Sequence, residues 1–347
     1  MSAKPRVVYM HSPSRKSGKL LPLLEGLTVV SVRGWRDLLR LRPAPDDVVV
    51  MDQFGRWALF GLVASVFLRA PLVIRLRGEF FREERERADA RPGASRWPRY
   101  LLNVLLGKLC FRRATKVLCN SHYLARATST YARPEKIAVV LSPYTAPGDG
   151  PAPDLPRAGL RLATVSDMVL HSKVRPLFET IQSRVTHELL EELDVQWLIC
   201  GSGYHEERLR ALVQQKGLQG RVHVLGRVEG VSEVYEWCDV LVHLTGLDAL
   251  PSVPMEAMMH TKPVITNVDS CGTRELVFDG ENGLVVRDSY EFAAALGRYA
   301  KDPTLRERHG RSGRSFVEEN LSVPLLRNQM QRVLRETVSS GKSRTGG

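Results

Sequence analysis

Short runs of apolar, β-branched residues recur along this chain, and between them the apolar positions shift to helical spacing. In the first half, Arg6–Met10, Thr28–Val32, Val48–Met51, Leu72–Leu76, Lys116–Cys119 and Ile137–Leu141 read as strands. Arg56–Leu68 and Trp97–Arg113 read as helices among them. Strands that are apolar throughout, rather than alternating, are covered on both faces. Their alternation with helices predicts a parallel, doubly wound sheet. Residues 143–156 are then rich in Pro and Gly and can continue neither element, as an interdomain linker does. After it the alternation resumes. Leu160–Val165, Val195–Cys200, Val222–Leu225, Val240–Leu244, Pro263–Thr266 and Gly283–Val286 are the predicted strands. Val174–Val185, Glu206–Gln215, Val231–Trp237, Val253–His260, Tyr290–Tyr299 and Leu305–Asn320 are the predicted helices.

The expected fold class is therefore α/β, with two Rossmann-like doubly wound domains facing across a cleft. A length of 347 residues suits two domains. The expected division is 1–145, a linker 146–157, a second domain 158–325, and a C-terminal helix with a disordered tail over 326–347. In open α/β sheets ligands bind beyond the carboxyl ends of the strands, so each domain offers one such edge. The longest apolar run, Trp57–Leu68, is short of the roughly 20 residues a membrane span needs and predicts a buried helix. Val7–Met10 reads as a strand rather than as part of a signal peptide.

Charge changes the picture. Residues 1–150 carry 26 basic and 12 acidic side chains, a balance of +14, while residues 151–347 carry 24 and 26, a balance of −2. So uneven a distribution points to an anionic partner for the first half, such as a membrane surface or a lipid phosphate. The stretch Arg96–Arg113 is apolar over most of its circumference, with a polar stripe of Arg96, Arg99, Asn103, Lys108 and Arg112. A basic amphipathic helix with Trp and Tyr suits a membrane interface, and equally a core helix with snorkelling arginines. Residues 82–91 mix Glu and Arg as a solvated helix face does. Five cysteines without a CxxC spacing predict free thiols in a reducing cytoplasm.

The most informative stretch is Asp239–Asn267. A strand enters a short loop, Thr245–Ser252, and a helix follows that carries Glu256. Free N–H groups at a helix start favour phosphate, and here Leu250, Ser252 and Val253 supply them. Asp248 and Glu256 stand eight apart, one on each side of that turn, as two carboxylates for vicinal hydroxyls. Asp248-(7 residues)-Glu256, followed by Ala257-Met258 and Lys262-Pro263-Val264-Ile265, resembles the E-x7-E region of family 4 retaining glycosyltransferases, in the glycosyl transferases group 1, which have the GT-B fold. Leu198–Gly203, Arg221–Gly226, Cys238–Val240 and Glu275–Gly283 resemble the same family's other landmarks. The resemblance covers residues 160–320 well and the first half loosely.

The resemblance implies a transferase that moves a sugar from a nucleotide-sugar donor to a hydroxyl acceptor with retention. By position, Glu256 is expected to hold the ribose and Asp248 the hydroxyls of the transferred sugar. The amides of Leu250, Ser252 and Val253, with Lys173, are expected on the diphosphate, Val228 near the base, and Gly201 and Gly203 in the G-x-G loop. The chain departs from the family at three places. Asp248 is one methylene shorter than Glu, Asp167 replaces an arginine for which Arg175 is the candidate substitute, and Arg77 stands where a histidine is expected. Arg77 suits a phosphate rather than a proton, and Glu79 is the carboxylate nearest to it in sequence. Gly18, after the first strand, is a candidate for backbone approach to phosphate, or an ordinary turn glycine. No D-x-D motif occurs, and neither a metal nor another cofactor is expected. His171 and His243 read as a surface and a core histidine, and Asn120–His122 as a helix cap or a ligand.

A lipid-linked or cell-surface glycan precursor as acceptor, with a cytoplasmic protein lying peripherally on the inner face of an anionic membrane, accounts for the basic half. Three other readings each fit part of the sequence. A dinucleotide oxidoreductase fits Gly201-Ser-Gly203 but lacks the third glycine and the acidic residue that should follow. A nucleic-acid binder fits the pI of about 9.7 but shows no binding motif. A glycosyltransferase-like protein that binds without turnover fits the departures at Arg77 and Asp167.

Overall fold

The computed structural model describes residues 5–10, 20–52, 56–90, 96–147, 150–151, 156 and 159–345. In chain order the elements are β1 (Arg6–Met10), α1 (Leu21–Leu24), β2 (Thr28–Val32), α2 (Trp35–Leu39), β3 (Asp47–Met51), α3 (Arg56–Phe67), β4 (Leu72–Leu76) and α4 (Phe80–Ala90). Then come α5 (Arg96–Arg113), β5 (Lys116–Cys119), α6 (His122–Thr128) and β6 (Ile137–Val139). The second run is β7 (Leu160–Val165), α7 (His171–Gln182), α8 (Arg184–Glu192), β8 (Val195–Cys200), α9 (Glu206–Gln215), β9 (Val222–Gly226) and α10 (Val231–Trp237). It continues through β10 (Val240–His243), α11 (Ser252–Met259), β11 (Val264–Asn267), β12 (Gly283–Val286), α12 (Ser289–Lys301), α13 (Pro303–Asn320) and α14 (Val323–Thr345).

These elements form two units, residues 1–143 with 321–347, and Tyr144–Asn320. The first holds a six-stranded sheet in the order β2-β1-β3-β4-β5-β6. The second holds one in the order β12-β11-β10-β7-β8-β9. Each strand pair is parallel. Both are Rossmann-like, and each strand order reverses once, between β1 and β3 in the first sheet and between β7 and β10 in the second. A ligand crevice is expected at such a reversal, at the carboxyl edge. β3 and β4 are buried along their whole length, which is why their sequences are unbroken apolar runs apart from Asp47 and Arg75. At the opposite edge of the second sheet, Arg161 grips Asp239 through Nε to Oδ2 at 3.0 Å and Nη2 to Oδ1 at 2.8 Å. That fork holds β7 against β10 where the order reverses.

The last helix returns to the first unit. Leu326, Met330, Leu334 and Val338 recur every four residues, one stripe of a helix, and are buried with Leu20, Leu23 and Leu24. Arg327 Nε donates to Pro22 O at 2.9 Å, and Gln331 Nε2 to Glu25 O at 2.7 Å. A disordered tail was expected at the end of 326–347; α14 instead runs through Gly341 to Thr345, extending past the end of its apolar stripe at Val338. Part of the expected linker is packed: Trp237 Nε1 donates to Pro156 O at 2.9 Å, and a Cβ on Gly150 would lie 2.7 Å from the Glu229 carbonyl carbon.

Two further expectations are corrected. The single helix predicted over 174–185 is two, since Ser183 is extended between α7 and α8. The apolar helix α3, expected to be buried, leaves Leu59, Val63, Val66 and Phe67 exposed; an all-apolar sequence could not reveal which face the sheet would leave uncovered. Ser121 proves to be the cap of α6, its Oγ accepting from Leu124 N at 3.0 Å. All five cysteines are free, and burial pushes the thiols of Cys110, Cys200 and Cys238 up to about 12 and that of Cys119 up to about 11. Among the described residues no helix is long and apolar enough to cross a membrane.

Candidate functional site

In the second unit, the loop after β10 lies at the reversal of strand order and is held from three sides. Asn267, at the end of β11, accepts from Thr245 N at 2.9 Å and donates to Thr245 O at 3.0 Å. Gly246 N donates to Ser172 O at 3.0 Å, and a Cβ there would lie 2.7 Å from the same oxygen. Gly272 N donates to Asp248 O at 2.8 Å. The loop is thereby fixed before α11 begins. Pro251 precedes α11 without a side-chain cap, so the amides of Ser252 and Val253, with that of Leu250 just before, are the donors a bound anion would meet.

The structure brings the predicted Lys173 and Asp248 together. Lys173 Nζ, in the first turn of α7, stands 3.3 Å from Asp248 Oδ1, and both side chains are about one-fifth exposed. The pair thus joins the element after β7 to the element after β10, across the switch point. His243 ends β10 with its Nε2 3.8 Å from Asp248 Oδ2. Burial pushes its imidazole down to about 4, with the Lys173 charge acting in the same direction and Asp248 opposing. It is therefore neutral at neutral pH, and its buried Nε2 has no hydrogen-bond partner. The sequence reading took His243 for a satisfied core histidine; it is buried, but its outer nitrogen is not satisfied.

Glu256 is 9% exposed and accepts a hydrogen bond from Tyr235 OH at 2.8 Å. Burial first, and the Glu256 charge second, hold the Tyr235 phenol far above its ordinary range, so it stays a donor. Tyr144 is close enough that Glu256 adds to the rise burial causes in its phenol. Tyr235, which orients Glu256, was not foreseen, because the two residues lie on different helices.

Gly201 and Gly203 are required by packing. Gly201 has φ +135° and a Cβ there would lie 1.7 Å from Ser166 O; Gly203 has φ +153° and its Cβ would lie 2.4 Å from the Met168 carbonyl carbon. The G-x-G loop lies on the loop that follows β7 so closely that no side chain fits. Val228 is half-exposed after β9. Arg175 is paired with Glu179 at 3.3 Å, both 57% exposed, on the surface of α7. Asp167 accepts from Val169 N at 3.1 Å in a local turn. His171 opens α7, its ring 5.4 Å from that of His205.

The carboxyl edge of the first unit has its own cluster. Asp52, directly after β3, is buried and receives Tyr9 OH at 3.3 Å and Arg75 Nη1 at 3.4 Å. Arg77 Nε stands 3.6 Å from the same carboxylate. Arg75 is fully buried and also donates to Ser142 Oγ at 3.2 Å. Burial raises the Asp52 carboxyl and lowers the Arg75 guanidinium, the expected response of charges removed from water. Glu79, the carboxylate chosen from sequence, turns elsewhere: it accepts from Tyr123 OH and from Arg82 Nη1, the latter at 3.3 Å. The carboxylate beside Arg77 is Asp52, signalled only by its place at a strand end. Gly18 lies outside the described residues.

Residues 178–316 match the family of glycosyl transferases group 1. This part of the chain is similar to a group 1 glycosyltransferase domain. It contains Asp248, Glu256 and Tyr235, while Lys173 lies just before it. Alpha-D-kanosaminyltransferase of Streptomyces kanamyceticus is 29% identical over 152 residues, covering 41% of this chain and 38% of that protein. The chain thus spans well under half the length of that relative. A viral protein named as a glycosyltransferase, ORF31 (isolate Australia/Victoria), is 24% identical over 303 residues, 86% of this chain and 88% of its own. Among solved structures, HepE of Anabaena in complex with UDP-glucose superposes with a TM-score of 0.68 at 17% identity, over 96% of this chain and 99% of that one. At that identity the likeness is one of fold: two Rossmann-like units in succession, the GT-B architecture.

Proposed function

We propose that this protein transfers a sugar from a nucleotide-sugar donor to a hydroxyl acceptor with retention of anomeric configuration, the acceptor being a lipid-linked or cell-surface glycan precursor. The observation that carries the reading is the paired arrangement inside and beside the family-matched segment. Glu256 is anchored by Tyr235 on one side of the α11 start, and Asp248 is paired with Lys173 on the other.

In this reading the free oxygen positions of Glu256 accept the ribose hydroxyls, and Val228 lies against the base. The diphosphate takes Lys173 and the amides of Leu250, Ser252 and Val253. Asp248 accepts from hydroxyls of the transferred sugar, sharing Lys173 with the diphosphate. Charge grows on the leaving diphosphate as the C1–O bond breaks, and a fixed cation with helix-start amides stabilises that charge in the transition state. The acceptor oxygen bonds to C1 on the face the diphosphate leaves, and the acceptor proton passes to a diphosphate oxygen. Arg77, steadied by Asp52, binds an acceptor phosphate, and Glu79 contributes through Tyr123 and Arg82 to the shape of that edge. The reaction so written calls for no cofactor. UDP-glucose is the first donor to try, since HepE binds it, and an anionic membrane is the expected setting of a lipid-linked acceptor.

Incubation with nucleotide sugars tests this directly. The expected result is release of the nucleoside diphosphate and a glycoside whose anomeric coupling in proton NMR matches the donor's. A product of inverted configuration would overturn the retaining reading. A fully folded protein that releases no diphosphate from any donor would overturn the transferase reading.

A further inference from the structure

Helices α3 and α5 of the first unit present an apolar face to solvent. Helix α5 is bedded on one side only. Gly107 is buried, and a Cβ there would lie 2.4 Å from the Phe80 ring on α4. Cys110 Sγ is 3.5 Å from Ala58 O and Arg113 Nη2 is 3.5 Å from Ser65 O, both on α3. Asn103, expected in the outward polar stripe, turns to Glu84 of α4 at 2.6 Å. The face opposite these contacts carries Leu101, Leu102, Leu105 and Leu109, between 42% and 62% exposed. Beside it α3 carries Leu59, Val63, Val66 and Phe67, between 37% and 65% exposed. Of the 17 large hydrophobic side chains exposed among the described residues, nine are on these two helices. Single exposed leucines need no explanation; a contiguous stripe on two neighbouring helices marks an interaction surface.

The charge on the same helices selects the partner. The α3 sequence contains one arginine and the α5 sequence five Lys or Arg, and neither contains an acidic residue. The neighbouring α4, by contrast, mixes both signs. At the C-terminal end of α5, Lys108 and Arg112 line a cavity of about 360 Å³ whose other walls are Phe81, Phe111 and Tyr131. The three rings pack with centroids 4.8 to 5.7 Å apart. Leucines flanked by cations, next to a basic pocket with aromatic walls, match the interface of an anionic bilayer: acyl chains meet the stripe and a lipid phosphate meets the two cations. A protein partner would need carboxylates around an apolar centre; a bilayer offers both over an extended plane.

We infer that the α3–α5 face docks on an anionic lipid surface, with Lys108 and Arg112 gripping a lipid phosphate at the aromatic pocket. The inference concerns a surface distinct from the donor loop and does not depend on sugar transfer. It does supply a reason for a lipid-linked acceptor.

The full chain is sedimented with vesicles of phosphatidylcholine alone and with equimolar phosphatidylcholine and phosphatidylglycerol. The wild type should partition at least about tenfold more strongly to the anionic vesicles, and less so as salt rises. Leu101→Asp with Leu105→Asp should reduce that partition by at least about tenfold, and Lys108→Glu with Arg112→Glu likewise. These positions are exposed, so melting temperature should stay near that of the wild type. Folded variants that sediment like the wild type would overturn the inference, as would equal partition to neutral vesicles. A wild-type dimer that the leucine variants dissolve would also overturn it, assigning the face to a second copy. Thermal stabilisation by UDP-, GDP-, ADP- and CDP-sugars, read on the same preparations, separates the two readings: its absence with every one of them, with vesicle binding intact, counts against the transferase reading alone.

Discussion

Replacing Glu256 by Gln isolates the charge at the centre of the donor site. Tyr235 OH donates to Glu256 at 2.8 Å in a buried setting, and it can donate equally to the amide oxygen of Gln, so the helix and its packing remain. What is lost is the negative charge offered to the ribose. A hydrogen bond to a charged acceptor contributes about 1.5 to 3 kcal/mol, and each 1.4 kcal/mol is a factor of ten in affinity, so Kd for the nucleotide sugar should rise roughly 10- to 100-fold. Tyr235→Phe acts on the same carboxylate from the other side. It removes the anchor and leaves a buried charge short of one donor, which costs about 1 to 3 kcal/mol of stability. It should also weaken donor binding, by less than Glu256→Gln does. Because both changes act on one carboxylate, the double variant should lose less affinity than the two single losses combined. Calorimetry with the nucleotide sugar that most stabilises the wild type measures the affinities, and thermal melting the stabilities. A folded Glu256→Gln protein that binds within a factor of about two of wild type would refute the assignment of Glu256 to the donor, since RT ln 2 is far below the hydrogen-bond contribution at issue.

Other parts of the account predict outcomes of their own. Asp248→Asn should lower kcat more than it raises KM, since the lost contact is to the transferred sugar; equal effects on both would place Asp248 elsewhere. Gly201→Ala should destabilise by about 3 kcal/mol or more, because its Cβ would lie 1.7 Å from Ser166 O; a melt within a degree or two of wild type would contradict the packing described. His243 has a folded pKa of about 4 against an ordinary 6.5, so the unfolded chain takes up this proton first as pH falls. Full stability from this site is present above about 6.5, and about 3 kcal/mol should be lost between there and about 4. His243→Gln should flatten that part of the stability profile, and an unchanged slope would show that the histidine is not buried as described.

Much of the architecture was legible because buried parallel strands leave a strong local mark. Val48–Met51 and Val240–Leu244 are unbroken apolar runs, and residues 143–156 separate two rounds of alternation. The return of α14 was half legible: the four-residue spacing of Leu326, Met330, Leu334 and Val338 marks a helix face, but nothing local says that its partner is α1, some 300 residues away. The exposed face of α3 was hidden for the opposite reason. A helix apolar all round carries no periodicity to show which side is covered.

The candidate site divides in the same way. Asp248, Glu256 and the helix start between them form one contiguous stretch, and a spacing of eight can be read directly. The ion pair of Lys173 with Asp248 joins elements that follow strands adjacent only in the folded sheet, and the Tyr235–Glu256 hydrogen bond joins two helices. Asp52 and Arg75 went unnoticed because strand patterning treats β3 and β4 as apolar, whereas the fold buries a carboxylate just after β3 and a guanidinium in β4, and pairs them with each other, Tyr9 and Ser142, while Arg75 Nε is left without a hydrogen-bond partner.

The central claim is that the second unit holds a nucleotide-sugar donor. Thermal melting of the purified chain against UDP-, GDP-, ADP- and CDP-sugars tests it most directly, because a ligand at about 100 times its Kd adds about 2.7 kcal/mol to the folded state. The account predicts a clear rise with one nucleotide sugar that Glu256→Gln abolishes at the same concentration. A folded protein that none of them stabilises, or a rise that survives Glu256→Gln unchanged, would contradict it.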